Sequence, residues 1–484
     1  MTTEGTYPYF LGGVSSWCKL LIAEIDNVDW LLVPIVPATI DTKPIFQLPD
    51  HASVATPIRL WSLSPARNGR RPRRRVDLTD LPSALARALL AWDTSPALLV
   101  PLLVTCRLHA SGLRHAFRSR RAWSGFTDTL REMRRGALGD PALVVETSVA
   151  ETVQLYQTLY WIAQTAAAPT PPADLIHVTA AGWAAIPALV DQALNGTPIL
   201  LTEHGMYMRE SYLGSVLRDD PPGFQWINTR IARALSIAAC RAATVVSPVT
   251  STHVAWEELL GTEPSRIRPI PNGVRLPDRE PPPLPGTKTV VMVGRFDPLK
   301  DIHTALRTAA HVVRQVPEAR FLHYGPVDVM QKAYAESCYQ LHEQLGLGDS
   351  FQFMGSTNDV TSALHGADAV ISTSISEGLP IAVLEAMAQG RPVAATAVGG
   401  VRDTLNGCGL VTAPRDPRGL ATAVVTLLRN PTFAQQLGTR SYERVTERYP
   451  ISTCVDAYRD LLAELLDGNT APTPERGHLR LVCS

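Results

Sequence analysis

From residue 288 onward, short apolar runs alternate with amphipathic segments. They read "TVVMVG", "IHTALRTAAHVVRQV", "ARFLHYG", "MQKAYAESCYQLHEQLG", "FQFMG", "VTSALHG", "AVISTS", "LPIAVLEAMAQG", "PVAATAVGG" and "LATAVVTLLRN". That alternation, with turns of a few residues, predicts a parallel sheet with helices on both faces. Ligands of such sheets bind beyond the carboxyl ends of the strands. "ADLIHVTAAGWAAIPALV", "TPILLTEHG" and "ATVVSPVTSTHVAWEELLG" repeat the strand-loop-helix pattern, so a second α/β domain is expected in the first half, blurred between about 40 and 150. At 484 residues the chain exceeds what one core usually supports. The proline cluster "REPPPLPGT" at 279–287 is the expected linker between an N-terminal domain, 1–278, and a C-terminal domain, 288–450.

Net charge is zero, which disfavours nucleic acid as a partner. The seven cysteines are scattered and nowhere spaced as CxxC, which argues against a disulfide framework or a zinc site and fits a reducing cytoplasm. No basic segment followed by an apolar core opens the chain, so no signal peptide is expected. "WLLVPIVPATI" and "ALLAWDTSPALLVPLLV" are too short, or too interrupted by Asp and Pro, to span a membrane. Residues 1–140, with "RNGRRPRRR" and "RHAFRSRRAW", hold an excess of about six positive charges. They read either as solvated loops and helix faces or as a docking patch for an anionic membrane or acidic acceptor. The polar tail, 467–484, is expected to be loosely ordered and to carry no site.

The sharpest motif is "STSISEGLPIAVLEAMAQGRPVAATAVGG". A strand ends in Ser376-Glu377-Gly378-Leu379-Pro380, Pro380 suits a first helical position, and the helix runs to Gly390-Arg391-Pro392. Backbone N–H groups at such a helix start make an anion site. Glu377 and Glu385 would flank one ligand and, beside an anion, would accept hydrogen bonds from its hydroxyls, so the ligand implied is a polyol phosphate. "AVGG", ending in Gly399-Gly400, is expected to add flexibility there or to be a turn.

At the N-terminus, "GTYPYFLGGVSSW" reads as a loop feeding a helix, with Gly12 and Gly13 permitting close backbone approach to a phosphate or acceptor hydroxyl, or forming a plain turn. Only Met1, Thr2 and Thr3 precede Glu4-Gly5, so the strand expected ahead of this loop is a stub at residues 1–4, or the native start lies upstream. His204 in "LLTEHGMY" ends an apolar strand and faces the cleft, or is a core histidine; Glu203 and Tyr207 are its companions. Asn272 in "PNGV" reads as a turn residue or a ligand residue. There is no Asp-x-Asp, no GxxxxGK[ST] and no GxGxxG, so metal-gripping, nucleotide-hydrolysing and dinucleotide-redox signatures are missing, and no cofactor or metal is expected.

The spacing Glu377-x7-Glu385 in "SEGLPIAVLEAMA" resembles a donor-sugar signature of the retaining GT-B glycosyltransferases of family 4. "VGRFDPLKDIHTALRTAAHV" and "PIPNGV" agree with it, and "EGTYPYFLGGVSSW" and "TEHGMYMRE" narrow the resemblance to the PelF-like branch, cytoplasmic glycosyltransferases of exopolysaccharide synthesis. The resemblance implies two Rossmann-like, doubly wound parallel-sheet domains facing a central cleft, with a C-terminal helix, 451–466, crossing back to the N-terminal domain. Arg295 and Lys300 would bind the nucleotide diphosphate and Glu385 the ribose. Glu377 and the N–H groups of the Gly378-Leu379-Pro380 stretch would bind the donor sugar, with His204 near it. The expected reaction moves a hexose, UDP-glucose being the favoured donor, to a glycan, lipid-linked or small-molecule acceptor, in the cytoplasm or at the inner face of the membrane. The rivals are a sugar-nucleotide epimerase or hydrolase, and a non-catalytic scaffold subunit of a membrane polysaccharide synthase.

Overall fold

The structure is a computed structural model that describes residues 1–38, 43–61, 76–91, 96–134, 147–328, 331–357 and 359–468. It divides into two compact units. Unit 1 comprises Met1–Ser247, Val254–Pro269 and the chain from Arg459, and unit 2 comprises Pro248–His253 and Ile270–Tyr458.

Unit 1 holds seven strands among the described residues: β1 (Thr2–Glu4), β2 (Trp30–Pro37), β3 (Ala52–Val54), β4 (Ile58–Leu60), β5 (Ile176–Val178), β6 (Ile199–Glu203) and β7 (Val245–Pro248). They run in the order β3-β2-β1-β5-β6-β7, with β4 also on β2. The short β1 is central: Thr2, Thr3 and Glu4 register with Val33, Pro34 and Ile35 of β2, and Thr2 with Val178 of β5. Proline in a central strand is normally excluded because it cannot donate to the ladder. Here Pro34 falls in the gap between β3, which pairs Trp30 to Leu32, and β4, which pairs Ile35 to Pro37.

Within the segment whose pattern blurs, β3 and β4 are followed, among the described residues, by helices. Between β4 and β5 lie the helices Leu81–Leu90, Pro96–Leu108, Ala110–Arg118, Arg120–Arg134 and Val149–Ala167. Leu85, Leu89, Leu99, Leu103, Phe126 and Leu159 join them to the core around Ile186 and Leu201. Leu81–Leu90, buried at eight of its ten positions, loses the clean polar face that makes periodicity legible. No single helix among the described residues is long and apolar enough to cross a membrane. "RHAFRSRRAW" lies on two of these helices, whereas "RNGRRPRRR" and the tail from 469 fall outside the described residues. A capping box starts Val149–Ala167, where Ser148 Oγ accepts from Glu151 N–H and Glu151 accepts from Ser148 N–H at 2.6 Å. Glu151 also accepts from Phe224 N–H at 3.1 Å, so one carboxylate serves two helix starts.

Unit 2 holds six strands: β8 (Thr289–Val293), β9 (Arg320–Tyr324), β10 (Phe351–Gly355), β11 (Ala369–Ser372), β12 (Val393–Thr396) and β13 (Leu410–Thr412). Their order is β10-β9-β8-β11-β12-β13, all parallel. Five of the six are the apolar runs quoted above; the edge strand β13 is too short and too exposed to stand out. Both sheets therefore have the order 3-2-1-4-5-6 of a doubly wound Rossmann-like domain.

The units change between Pro269 and Ile270, ahead of the expected linker at 279–287, which lies wholly within unit 2. Arg391 explains why. It is fully buried, and its guanidinium donates to the carbonyl oxygens of Gln389, Ala367, Pro282 and Pro283. Asp368 completes the anchor by accepting from Gly286 N–H at 2.6 Å and Thr289 N–H at 3.0 Å. Prolines have no N–H to offer a sheet, so this stretch is fixed through its carbonyls. Arg391→Ala is expected to lower the unfolding free energy by about 2–4 kcal/mol in urea titrations, because buried carbonyls lose their donors. Arg391→Lys should recover only part of that, since an ammonium lacks the planar fork.

Candidate active site

In unit 2 the strand order reverses between β8 and β11, and the loops leaving these two strands part around a pocket lined by Val293, Lys300, Ser372, Ser374, Glu377 and Pro380. The β8 loop is braced by Asp297. One oxygen accepts from Leu299 N–H at 2.9 Å, and the other takes Arg295 Nε and Nη2 at 3.0 and 2.8 Å. The β11 loop is tied to it by Ile375 N–H on Leu299 O and Thr373 Oγ1 on Lys300 O, each 2.7 Å. Into this frame Lys300 Nζ donates to Glu377 Oε1 at 2.5 Å, and Ser374 Oγ donates to the same oxygen at 2.6 Å. The two side chains are 29% and 12% exposed.

The SEGLP backbone is held from behind. Asn272 is buried and its Nδ2 donates to Leu379 O at 2.8 Å, while Gly400 N–H donates to Gly378 O at 2.7 Å. Gly399 has a φ of 51°, and a Cβ there would stand 1.9 Å from Glu377 O. The glycine pair at 399–400 forms the turn that was one reading of it, and the turn is also a close backbone crossing that admits no side chain. Pro380 is the N-cap of the helix Ile381–Ala388, one position before the first helical residue expected of it. The amides that open this helix have no intrahelical acceptor.

Glu385 stands on the same helix but makes no hydrogen bond or ion pair to the Lys300–Glu377 group. Burial pushes its carboxyl up to about 7. Beneath the β8 loop, buried His323 bonds Gly294 O at 2.8 Å, and burial pulls the ring down to about 4, so it is neutral near pH 7. Ser374, Asp297 and His323 were not singled out from sequence. Asp297 carries a readable signal, an Asp before Pro at a short helix start; His323 sits inside a strand and carries none.

In unit 1 the order reverses between β1 and β5. Glu4 ends β1, and its carboxylate accepts from Tyr207 Oη at 3.0 Å and Ala184 N–H at 3.3 Å. The Tyr207 ring occupies the space a Cβ at Gly182 would take. Glu203 ends β6, is 1% exposed, and accepts from Ala181 N–H at 2.7 Å and Tyr207 N–H at 3.4 Å. Burial, with Glu257 nearby, holds Glu203 well above the usual carboxylate range. His204 follows, with its ring 4.5 Å from that of Trp17 in an edge contact. Its Nε2 is buried without a hydrogen-bond partner among the described residues, and burial pulls the ring down to about 3.

Gly12 is the N-cap of the helix Gly13–Glu24 with a φ of 161°, extended backbone open to any residue. A Cβ on Gly13 would meet nothing within 4 Å. Backbone conformation therefore does not require glycine at 12, and Gly13 leaves open space at a helix start. The structure thus gathers Arg295, Lys300, Glu377, Gly378, Leu379, Pro380 and Asn272 in unit 2, and Glu203, His204 and Tyr207 in unit 1.

Residues 1–265 match a family described as "Domain of unknown function (DUF3492)", and residues 287–430 match one described as "Glycosyl transferases group 1". Trehalose synthase of Pyrococcus horikoshii is 27% identical over 189 residues, which cover 37% of this chain and 45% of that protein. The chain spans about half the length of the curated relatives it matches. Among solved structures, sucrose-phosphate synthase from Thermosynechococcus elongatus is similar with a TM-score of 0.62 at 19% identity, over 96% of this chain and 99% of that one. The Anabaena protein HepE in complex with UDP and glucose is similar with a TM-score of 0.57 at 15% identity, over 96% and 100%. These likenesses show the fold, that of GT-B glycosyltransferases.

A carboxyl raised by burial favours the folded state while protonated. The contribution of Glu385 is therefore fully present below its unfolded value of 4.5 and is lost as pH rises through about 7. Glu385→Gln is expected to melt like the parent at pH 4.5 and to be more stable by about 1–3 kcal/mol at pH 8, read by thermal denaturation.

Proposed function

Because the chain belongs to the family described as a domain of unknown function (DUF3492), and carries a group 1 glycosyl transferase domain, we propose that it transfers a sugar from a nucleotide diphosphate donor. In its finer form the proposal is a retaining hexosyltransferase of the family 4, PelF-like branch. It would use UDP-glucose and an acceptor hydroxyl in polysaccharide or glycoconjugate synthesis, in the cytoplasm or at the inner face of the membrane. The observation that carries the proposal is the Lys300–Glu377 pair at the carboxyl ends of β8 and β11, beside the start of a helix. UDP and glucose bound to a protein of the same fold support the choice of donor.

Lys300 and Arg295 are each held by a carboxylate, so both charges are in place before a diphosphate arrives. Sharing Lys300 between Glu377 and the diphosphate places a point charge on the leaving group, Arg295 adds a fork of donors, and the first amides of the helix add more. Glu377, whose Oε2 makes no hydrogen bond to described residues, accepts from hydroxyls of the donor sugar, and Glu385 accepts from the ribose. The bond from the anomeric carbon to the diphosphate oxygen breaks while the acceptor oxygen bonds to that carbon on the same face. The acceptor's proton passes to the departing diphosphate. His204, neutral at pH 7, is assigned to the transferred sugar.

UDP should raise the melting temperature while GDP and ADP leave it unchanged, since a ligand stabilises in proportion to its affinity. Glu377→Ala should keep the parent's circular dichroism and lose about 10²-fold or more of transfer, as the loss of a preorganised polar group does; unchanged turnover would sink the assignment. Transfer should survive EDTA, as expected without an Asp-x-Asp grip. Donor supplied without acceptor should remain intact, which an epimerase or hydrolase would not allow.

A further inference from the structure

At the switch point of unit 1 two indoles meet above the strand ends. Trp61 directly follows β4 and Trp183 lies on the loop after β5, yet their ring centroids are 6.2 Å apart with an interplanar angle of 62°. Since β4 pairs β2, β2 pairs β1 and β1 pairs β5, this contact reaches across the ends of the two strands between them. Trp61 is 55% exposed, the most exposed tryptophan among the described residues, and is held at a φ of 58°, a left-handed conformation that a bulky side chain rarely adopts. Trp183 is half-buried and packs against the core, so the pair has one anchored and one exposed ring. The next residue, Ala184, donates its N–H to Glu4, whose other oxygen holds Tyr207 Oη.

An exposed indole braced by a half-buried one, near a carboxylate and a phenol, matches one ligand chemistry well. A pyranose ring offers an apolar face of C–H groups to stack on an indole and hydroxyls around its edge to donate to a carboxylate. We propose that Trp61 and Trp183 form a stacking platform for a sugar ring of a saccharide acceptor, with Glu4 and Tyr207 receiving its hydroxyls. The assignment rests on the glycosyl-transfer reading above and narrows the acceptor from any hydroxyl compound to a glycan. A lipid-linked sugar qualifies through its saccharide part only.

The test is isothermal titration of the full chain with maltohexaose, cellohexaose, laminarihexaose and chitohexaose in turn, alongside the UDP melting shift. At least one hexasaccharide should bind the parent with a Kd of ~1 mM or below. Trp61→Ala and Trp183→Ala should weaken it roughly tenfold or more, with Trp61→Phe and Trp183→Phe recovering most of the loss and the UDP shift unchanged throughout. Absence of binding to all four hexasaccharides, or equal binding by the alanine variants with an intact UDP shift, overturns the platform. A missing UDP shift in the parent strikes the donor reading instead, and the saccharide titrations decide the platform regardless.

Discussion

In a doubly wound parallel sheet each crossover must carry the chain back over one face, and at one place the winding changes face. There the loops leaving two adjacent strands turn away from each other, and the space they vacate lies at the strands' carboxyl ends. Both units of this protein are built on that constraint, with the reversal between β1 and β5 in one and between β8 and β11 in the other. Almost every polar group argued for above stands on a loop or helix start that issues from these strands or their neighbours.

What occupies those positions is charge that is already paired. Arg295 rests on Asp297 and Lys300 on Glu377, while the neutral phenol of Tyr207 hydrogen-bonds Glu4, so donors and acceptors are held in fixed directions without a bare ion in a partly buried site. Buried groups without an ion-pair partner lean toward neutrality: burial raises the carboxyls of Glu385 and Glu203 and lowers the imidazoles of His204 and His323. The cations are therefore oriented in advance, and the buried unpaired groups carry little charge to compete with them.

Legibility followed the range of the interaction. The SEGLP loop, its helix and the apolar strands are local patterns a few residues long, and they were readable. Asn272 was ambiguous because its meaning lies on Leu379, more than a hundred residues away. The same holds for Arg391, which fixes the carbonyls of Pro282 and Pro283, so that a stretch composed like a free connector is bound along unit 2. Gly12 and Gly13 read as a point of close backbone approach or a plain turn, yet Gly12 is extended backbone and a Cβ on Gly13 would meet nothing within 4 Å. Gly399, read as a source of flexibility, is instead the point where two backbones touch.

Two parallel-sheet domains and a helix start after Glu377 are legible from the residues alone, because apolar periodicity and local turn chemistry are written in consecutive positions. Only the tertiary structure decided that Lys300 meets Glu377, that β1 is a central strand, and that Trp61 reaches Trp183 over the ends of two strands. Those outcomes depend on strand order and on which loops are brought together at a reversal, and strand order is set by packing among segments far apart along the chain.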